Sequence, residues 1–405
     1  MNILIVNVFY YPNMVGGAEH SVKVLSENLA KLGHNVAIYS IDSNEKKMVV
    51  EFINNVKVYR GTGGKYDITV KLGRKDKKVK IANKILEFDN RTIVKELDYV
   101  FESFNPHIVH TNNINGISPF IWRYFKNKKV PIVHTLRDYW LLSPKYDLSF
   151  ESKGIATKFL IYCYQNIMKK YIGYVDYLTG PSEFIVNKYQ KYKFFRKSKS
   201  CTIVNCVNID DKNMERVIYQ KLERTSKVIN FLYVGLLSKN KGIDILLQTF
   251  NKYENKNVRL TICGSGPLTK MVHQYCGFDQ RITYLGQLSS LELSKQYDIS
   301  DVLIIPSLWD EPFGRVVIEA NVHGSVVIGS NRGGIPEIIS SIGAGCIFDM
   351  NKSETLLKSI EYYSNRQNIK NELPNILRNI GKYSSILQAK SFLNIYNILL
   401  LRSKS

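Results

Sequence analysis

Short runs of β-branched and aliphatic residues alternate with amphipathic stretches along this chain, and the alternation runs twice. In the first half Asn2–Val8, Val36–Ser40, Ile108–Thr111, Pro131–Thr135, Tyr177–Gly180 and Cys201–Val204 read as strands. A Gly16-Gly17 turn leads into an amphipathic helix from Ala18 to about Leu32, closed by Gly33. The pattern restarts at Ile229–Val234, with a helix from about Gly242 to Tyr253. Val258–Cys263, Ile282–Tyr284, Val302–Ile305 and Val326–Ile328 follow as further strands. Strands separated by helical crossovers pair in parallel, so each half is expected to be a parallel α/β domain. A chain of 405 residues is also too long for one ordinary core and suits two domains of roughly 200 residues. The expected division is 1–205, a linker at 206–226, a second domain at 227–384, and a last helix at 385–405. That helix offers Leu387, Phe392, Tyr396, Leu399 and Leu400 for packing back towards the first domain.

The most informative stretch runs from Pro306 to Ala320. A buried strand ends at Pro306 and a helix begins near Phe313 or Gly314. The loop therefore lies beyond the carboxyl end of a parallel strand, where open α/β sheets bind ligands. Backbone amides around Gly314 to Val316 can hold phosphate oxygens, and Gly314 lets the backbone come close. Glu319 sits about one and a half turns into the helix, where its carboxylate can accept from a diol. Glu311 precedes the helix, and an acid there also complements the helix dipole. A second loop, Ser330-Asn331-Arg332-Gly333-Gly334-Ile335-Pro336-Glu337, repeats the theme, with Pro336 suited to a first helical turn and Glu337 to capping it.

Glu311 and Glu319, with seven residues between them, resemble the Glu-x7-Glu signature of the family 4 glycosyltransferases of bacterial surface-polysaccharide type, which have the GT-B fold. The similarity extends from Ile3 to about Ile339. It includes Gly16-Gly17-Ala18-Glu19, the His134 to Trp140 stretch, Tyr233-Val234-Gly235 with Lys241-Gly242, and Gly264-Ser265-Gly266-Pro267. The resemblance implies two Rossmann-like domains whose parallel sheets face across a cleft, and a donor bound in that cleft. It implies a retaining, metal-independent hexosyltransferase that uses a UDP- or GDP-sugar as co-substrate and needs no cofactor. Glu319 would then bind the ribose and Glu311 the donor sugar. Phe313, Gly314 and Arg315 would serve sugar and phosphates through their backbone. Gly16, Gly17, Gly235, Lys241, Gly264 and Gly266 would complete the donor site.

Two positions depart from that pattern. The family's Gly-Arg is here Gly235-Leu236, which leaves Lys241 as a point charge without the planar fork of arginine; Arg315 or Arg332 is the available substitute. Arg137 stands where the family commonly has its active-site histidine. Arginine cannot act as a base, but it can hold a sugar hydroxyl or phosphate, and the leaving β-phosphate would take the acceptor's proton. His134 alternates to the opposite side of the strand from Arg137. Asp138 either orients the acceptor or caps the following loop. His110 and Asn113, at the end of another strand, are candidate acceptor or sugar contacts, with a structural role as the alternative for the histidine. Gly264-Ser265-Gly266 is a poor dinucleotide fingerprint because Pro267-Leu268-Thr269 breaks the spacing.

The net charge of +21 restricts partners. Basic residues cluster at Lys71–Lys80 and Lys188–Lys199, the latter interleaved with Tyr189, Tyr192, Phe194 and Phe195. Nucleic acid is not favoured, because no zinc-finger, RNP or KH pattern accompanies the charge. Aromatics among lysines suit an anionic membrane surface, and solvated lysine is the plain alternative. The six cysteines form no CxxC pair, so no metal is expected. The amino terminus has no signal-peptide pattern, and no apolar run reaches the roughly 20 residues of a spanning helix. The expected location is cytoplasmic, or peripheral on the inner membrane face. The acceptor would be a glycan or lipid-linked glycan. A catalytically silent sugar-nucleotide-binding or scaffold protein is the alternative, and a GT-B epimerase is disfavoured by the missing histidine.

Overall fold

The computed structural model describes residues 1–14, 16–41, 47–68 and 77–402. The chain divides into two compact units, Met1–Asn205 with Ser385–Ser405, and Cys206–Ser384.

Unit 1 holds strands β1 (Asn2–Val6), β2 (Asn35–Ile41), β3 (Val49–Ile53), β4 (Val56–Gly61), β5 (Ile108–Thr111), β6 (Ile132–Thr135), β7 (Tyr177–Gly180) and β8 (Lys199–Thr202). They form one sheet in the order β3-β4-β2-β1-β5-β6-β7-β8. Pairs are parallel except β3 with β4, which is antiparallel. Strands β5 and β6 are buried along their whole length, which is why parallel strands read as near-continuous apolar runs. Helix α1 (Gly17–Lys31) lays Val22, Leu25 and Leu29 on the sheet. Ala389, Phe392, Ile395, Tyr396 and Leu399 of the C-terminal helix Ser385–Arg402 join the same cluster as Ile3, Ile5, Val22 and Leu29. Each such buried side chain larger than alanine contributes about 1.5–3 kcal/mol, so the last helix is integral to this core. Two further helices, α2 (Lys77–Leu86) and α3 (Ile155–Met168), lie on this unit.

Unit 2 holds β9 (Ile229–Val234), β10 (Val258–Cys263), β11 (Ile282–Gly286), β12 (Val302–Ile305), β13 (Val326–Ser330) and β14 (Gly345–Phe348) in the order β11-β10-β9-β12-β13-β14. This parallel sheet is the doubly wound order, with strand sequence running outward in both directions from β9. The topological switch point therefore falls between β9 and β12, and in unit 1 between β1 and β5.

The structure corrects one boundary. Residues 206–226, read as a linker, contain helix α4 (Asp211–Glu223), which belongs to unit 2. Asp210 caps it by accepting from the Asn213 amide at 3.1 Å, and Met214, Val217 and Ile218 are buried at helical spacing. Lys221 is 2 % exposed. Its ammonium donates to the carbonyls of Tyr297, Ser300 and His323 and to Ser325 Oγ.

The β3–β4 hairpin is an addition to the sequence reading. Its two-residue turn, Asn54-Asn55, has φ of 50° and 66°, the left-handed pair that a tight hairpin requires.

Candidate functional site

In unit 2 the loops after β9, β10, β12 and β13 are joined backbone to backbone. Asn240 carbonyl accepts from the Leu308 and Trp309 amides at 2.9 and 3.0 Å, and Glu311 carbonyl from the Gly334 amide at 2.8 Å. Leu237 donates to Ser265 carbonyl and accepts from Leu268. Glycine is required where these loops touch. Gly242, at φ 69°, would place a Cβ 1.8 Å from Pro306 oxygen, and Gly333, at φ 60°, one 2.1 Å from Glu311 oxygen. Gly264 and Gly266 meet the Gly235 and Leu237 carbonyls in the same way. Gly264, Gly266 and Gly333, read as donor-site or close-approach positions, thus have a prior role, with Gly242, in packing the loops on each other.

That platform brings together charges distant in sequence. Lys241, in the turn Lys239–Lys241, forms an ion pair with Glu311 Oε1. Ser307 Oγ donates to the same oxygen at 3.2 Å, and Lys241 Nζ lies 4.6 Å from the Trp309 ring centroid. Helix α6 (Arg315–Val322) starts at Gly314, whose φ of 103° and ψ of 54° turn the chain into it. In its second turn Glu319 Oε1 lies 2.8 Å from Arg315 Nε. Tyr297, on helix α5 (Ser290–Ile299), donates its hydroxyl to Glu319 Oε2 at 3.2 Å. Burial and the Glu319 charge push the Tyr297 phenol well above its usual value, so it stays a donor. A carboxylate has about four lone-pair sites, so Glu319 retains acceptor capacity beyond these two contacts.

Phe313 is buried, its ring 6.3 Å from that of Tyr383. Arg332 donates to Asn351 at 3.3 Å. Leu236 is 52 % exposed. Glu337 lies in the first turn of helix α7 (Ile335–Ile342), with Pro336 beside it. Ser307, Trp309 and Tyr297 received no role from sequence. Trp309 lay inside the informative stretch, whereas nothing local marks Tyr297.

In unit 1 the switch-point loops are carboxamide-rich. Asn7 Oδ1 accepts from the Asn113 amide at 2.9 Å, and Asn113 carbonyl from the Val8 amide at 2.8 Å. Arg137 Nε donates to Asn112 Oδ1 at 3.0 Å, and its Nη1 to Asn205 Oδ1. Asn112, Asn113, His134, Arg137, Asp138 and Trp140 line one small pocket. Asn112 is 2 % exposed, and its Nδ2 has no hydrogen-bond partner among the described residues. Asp138 Oδ1 accepts from the Trp140 amide at 2.8 Å, the loop-capping role. Gly16 donates its amide to Glu19 at 2.8 Å, and Gly17 opens α1.

Two expectations are corrected here. His110 does not reach out to a sugar. It is fully buried, with Nδ1 2.7 Å from Tyr396 hydroxyl and Nε2 2.7 Å from Thr135 hydroxyl, so both ring nitrogens are already engaged. Burial, with the Arg137 charge, holds it well below the usual imidazole value. The aromatics of Lys188–Lys199 are not an interfacial belt either: Tyr189, Phe194 and Phe195 are 1 %, 0 % and 1 % exposed and pack edge-on or tilted against one another and against Trp122, with Phe195 stacked on His134. Of the other basic cluster, residues 71–76 lie outside the described residues. His134 Nδ1 lies 2.9 Å from Thr111 hydroxyl, and burial lowers its pKa to about 3. No helix among the described residues is long and apolar enough to cross a membrane.

Comparison with known proteins places the chain by family and by fold. The family described as "Glycosyl transferases group 1" matches residues 215–383, and "Glycosyltransferase Family 4" matches residues 15–211. The chain is similar to an uncharacterised protein in the cps region of Klebsiella pneumoniae, at 31% identity over 84% of this chain and 87% of that one. In fold it is similar to sucrose-phosphate synthase from Thermosynechococcus elongatus (TM-score 0.75, 18% identity, 99% of each chain). It is also similar to a glycosyltransferase involved in lipopolysaccharide biosynthesis (TM-score 0.65, 13% identity, 97% of this chain and 99% of that one).

Proposed function

Since the chain belongs to the group 1 and family 4 glycosyltransferases, with their GT-B fold, we propose that it is a retaining transferase. It moves a sugar from a UDP- or GDP-sugar to a glycan or lipid-linked glycan of a surface polysaccharide. The observation that carries this reading is the pair of carboxylates at the switch point of unit 2, separated by seven intervening residues and each already held by a cation: Glu311 by Lys241 and Glu319 by Arg315. The cps-region relative and the neighbour involved in lipopolysaccharide biosynthesis support the acceptor class.

In this mechanism Glu319 accepts from the ribose hydroxyls, with Tyr297 and Arg315 fixing its carboxylate. Amides at the start of α6 meet phosphate oxygens. Lys241 exchanges Glu311 for the diphosphate, which frees Glu311 to accept from sugar hydroxyls. The acceptor oxygen bonds to the anomeric carbon on the face that the diphosphate leaves, and the acceptor proton passes to the departing β-phosphate oxygen. The products are the glycoside and a nucleoside diphosphate. Arg137, anchored by Asn112 and Asn205, orients the acceptor hydroxyl without removing its proton. His110 and His134 take no part as bases, because both are buried and neutral.

A panel of UDP- and GDP-sugars should reveal one that raises the melting temperature of the protein. Glu319→Ala should weaken its binding about 100-fold, the loss of one or two charge-assisted hydrogen bonds. Arg137→Ala should lower kcat while leaving donor affinity unchanged. Wild-type donor affinity in both Glu319→Ala and Lys241→Ala would show the donor site to be misplaced. Tight donor binding without turnover on any acceptor would instead favour a silent binding protein, a reading motivated by the exposed Leu236 where the family has arginine.

A further inference from the structure

Helix α3 (Ile155–Met168) is apolar nearly all round, IATKFLIYCYQNIM. A helix of that composition is ordinarily buried, yet only one stripe of α3 is covered. Tyr164, Gln165 and Met168 face the protein, while Ile155 is 88 % exposed, Phe159 64 % and Leu160 68 %, with Tyr162 and Ile167 beside them. From Lys153 to Val175 the sequence contains no acidic residue, and Lys153, Lys158 and Lys170 are exposed. Helix α2 (Lys77–Leu86), KKVKIANKIL, repeats the pattern, with Ile81 and Ile85 exposed at 65 % and 66 %. The two helices adjoin. Phe88, just past α2, packs edge-on against Tyr164 of α3, with ring centroids 5.3 Å apart.

We propose that α2 and α3 form a docking surface for an anionic lipid bilayer, with the isoleucine, phenylalanine and leucine side chains inserted among the headgroups and the lysines held at the phosphate level. Apolar side chains interleaved with lysine and free of carboxylates match an anionic interface in both its parts. The charge also argues against a second copy of this chain as occupant. A two-fold interface would bring Lys158 and its neighbours against the same lysines of the other copy, with no acid on either helix to pair with them. At 14 residues, α3 is shorter than the roughly 20 needed to span, so the helix lies in the interface. The docking surface also adjoins the pocket of unit 1. Tyr164 donates its hydroxyl to Trp140 carbonyl at 2.7 Å, and Trp140 Nε1 donates to Glu87 at 3.4 Å. Docking would hold the pocket beside the bilayer; that a lipid-linked acceptor enters it there rests on the transfer proposed above, whereas docking itself does not.

The experiment is flotation of the full chain with vesicles of phosphatidylcholine alone and with about one-third phosphatidylglycerol. Wild type is expected to float with the anionic vesicles and to bind the neutral ones at least about tenfold more weakly. Phe159→Ser with Leu160→Ser should reduce anionic binding at least about tenfold. Both residues are largely exposed, and an unchanged melting temperature with and without nucleotide certifies the folded donor site, so loss of docking is separable from loss of transferase function. Wild type left unbound by anionic vesicles, or the double variant floating as well as wild type, would overturn the proposal. So would a dimer in sedimentation that the double variant splits into monomers.

Discussion

The two switch points share a strand order and are furnished in opposite ways. At β9/β12 the loops carry opposite charges already paired, Lys241 with Glu311 and Arg315 with Glu319. At β1/β5 the loops carry carboxamides, Asn7, Asn112 and Asn113, with the guanidinium of Arg137 tied to two carboxamide oxygens. Charged groups suit a nucleoside diphosphate, whose own charge must be met. Carboxamide donors and acceptors around one guanidinium suit hydroxyl-rich sugar, which carries no charge. The same scaffold thus carries two kinds of loop, one of paired charges and one of carboxamides.

The comparison breaks most sharply at Lys221. Its ammonium joins three carbonyls at the carboxyl ends of α5 and α6, the helices that carry Tyr297 and Glu319. Lys221→Met should strand those carbonyls and destabilise unit 2 by about 3 kcal/mol, with Lys221→Arg recovering part. Denaturant unfolding followed by hydrogen exchange will place the loss in β12 and β13 rather than β5 and β6. Equal loss in both units would undo the assignment.

A smaller effect tests the carboxamide half. Burial lowers His134 to about 3 and His110 well below its usual value. Their folded values lie under the unfolded value near 6.5, so the unfolded state binds more protons in that window. The stability they contribute is complete above about pH 6.5 and is lost as pH falls through it towards 3. The melting temperature should therefore decline below pH 6.5, while kcat/KM shows no inflection near 6.5. A rate inflection abolished by His134→Asn would make that imidazole a working base.

Sequence legibility followed the same divide. The buried parallel strands were plain because both faces are covered and the residues run apolar without interruption. The β3–β4 hairpin was not, because Val50 and Phe52 are exposed and its turn is set by two asparagines rather than glycine. Helix α4 was hidden by its charge, since Lys221 looks like solvent-facing lysine and is buried by carbonyls that only the fold assembles. Glu311 and Lys241 were found singly, but their pairing depends on loops meeting through Gly242 and Gly333. The lysine-aromatic segment misled in the other direction: alternation with charge resembled an interface, yet the rings of Tyr189, Phe194 and Phe195 are core. Helix α3 has the composition of a core helix, and only the structure shows that one stripe of it is covered.

The central claim, that donor recognition belongs to the charged loops of unit 2, is tested most directly by hydrogen exchange with and without the stabilising sugar nucleotide. The account predicts protection at residues 238–242 and 307–319, abolished by Glu319→Ala. Protection confined to the carboxamide loops of unit 1, or unchanged in that variant, would contradict it.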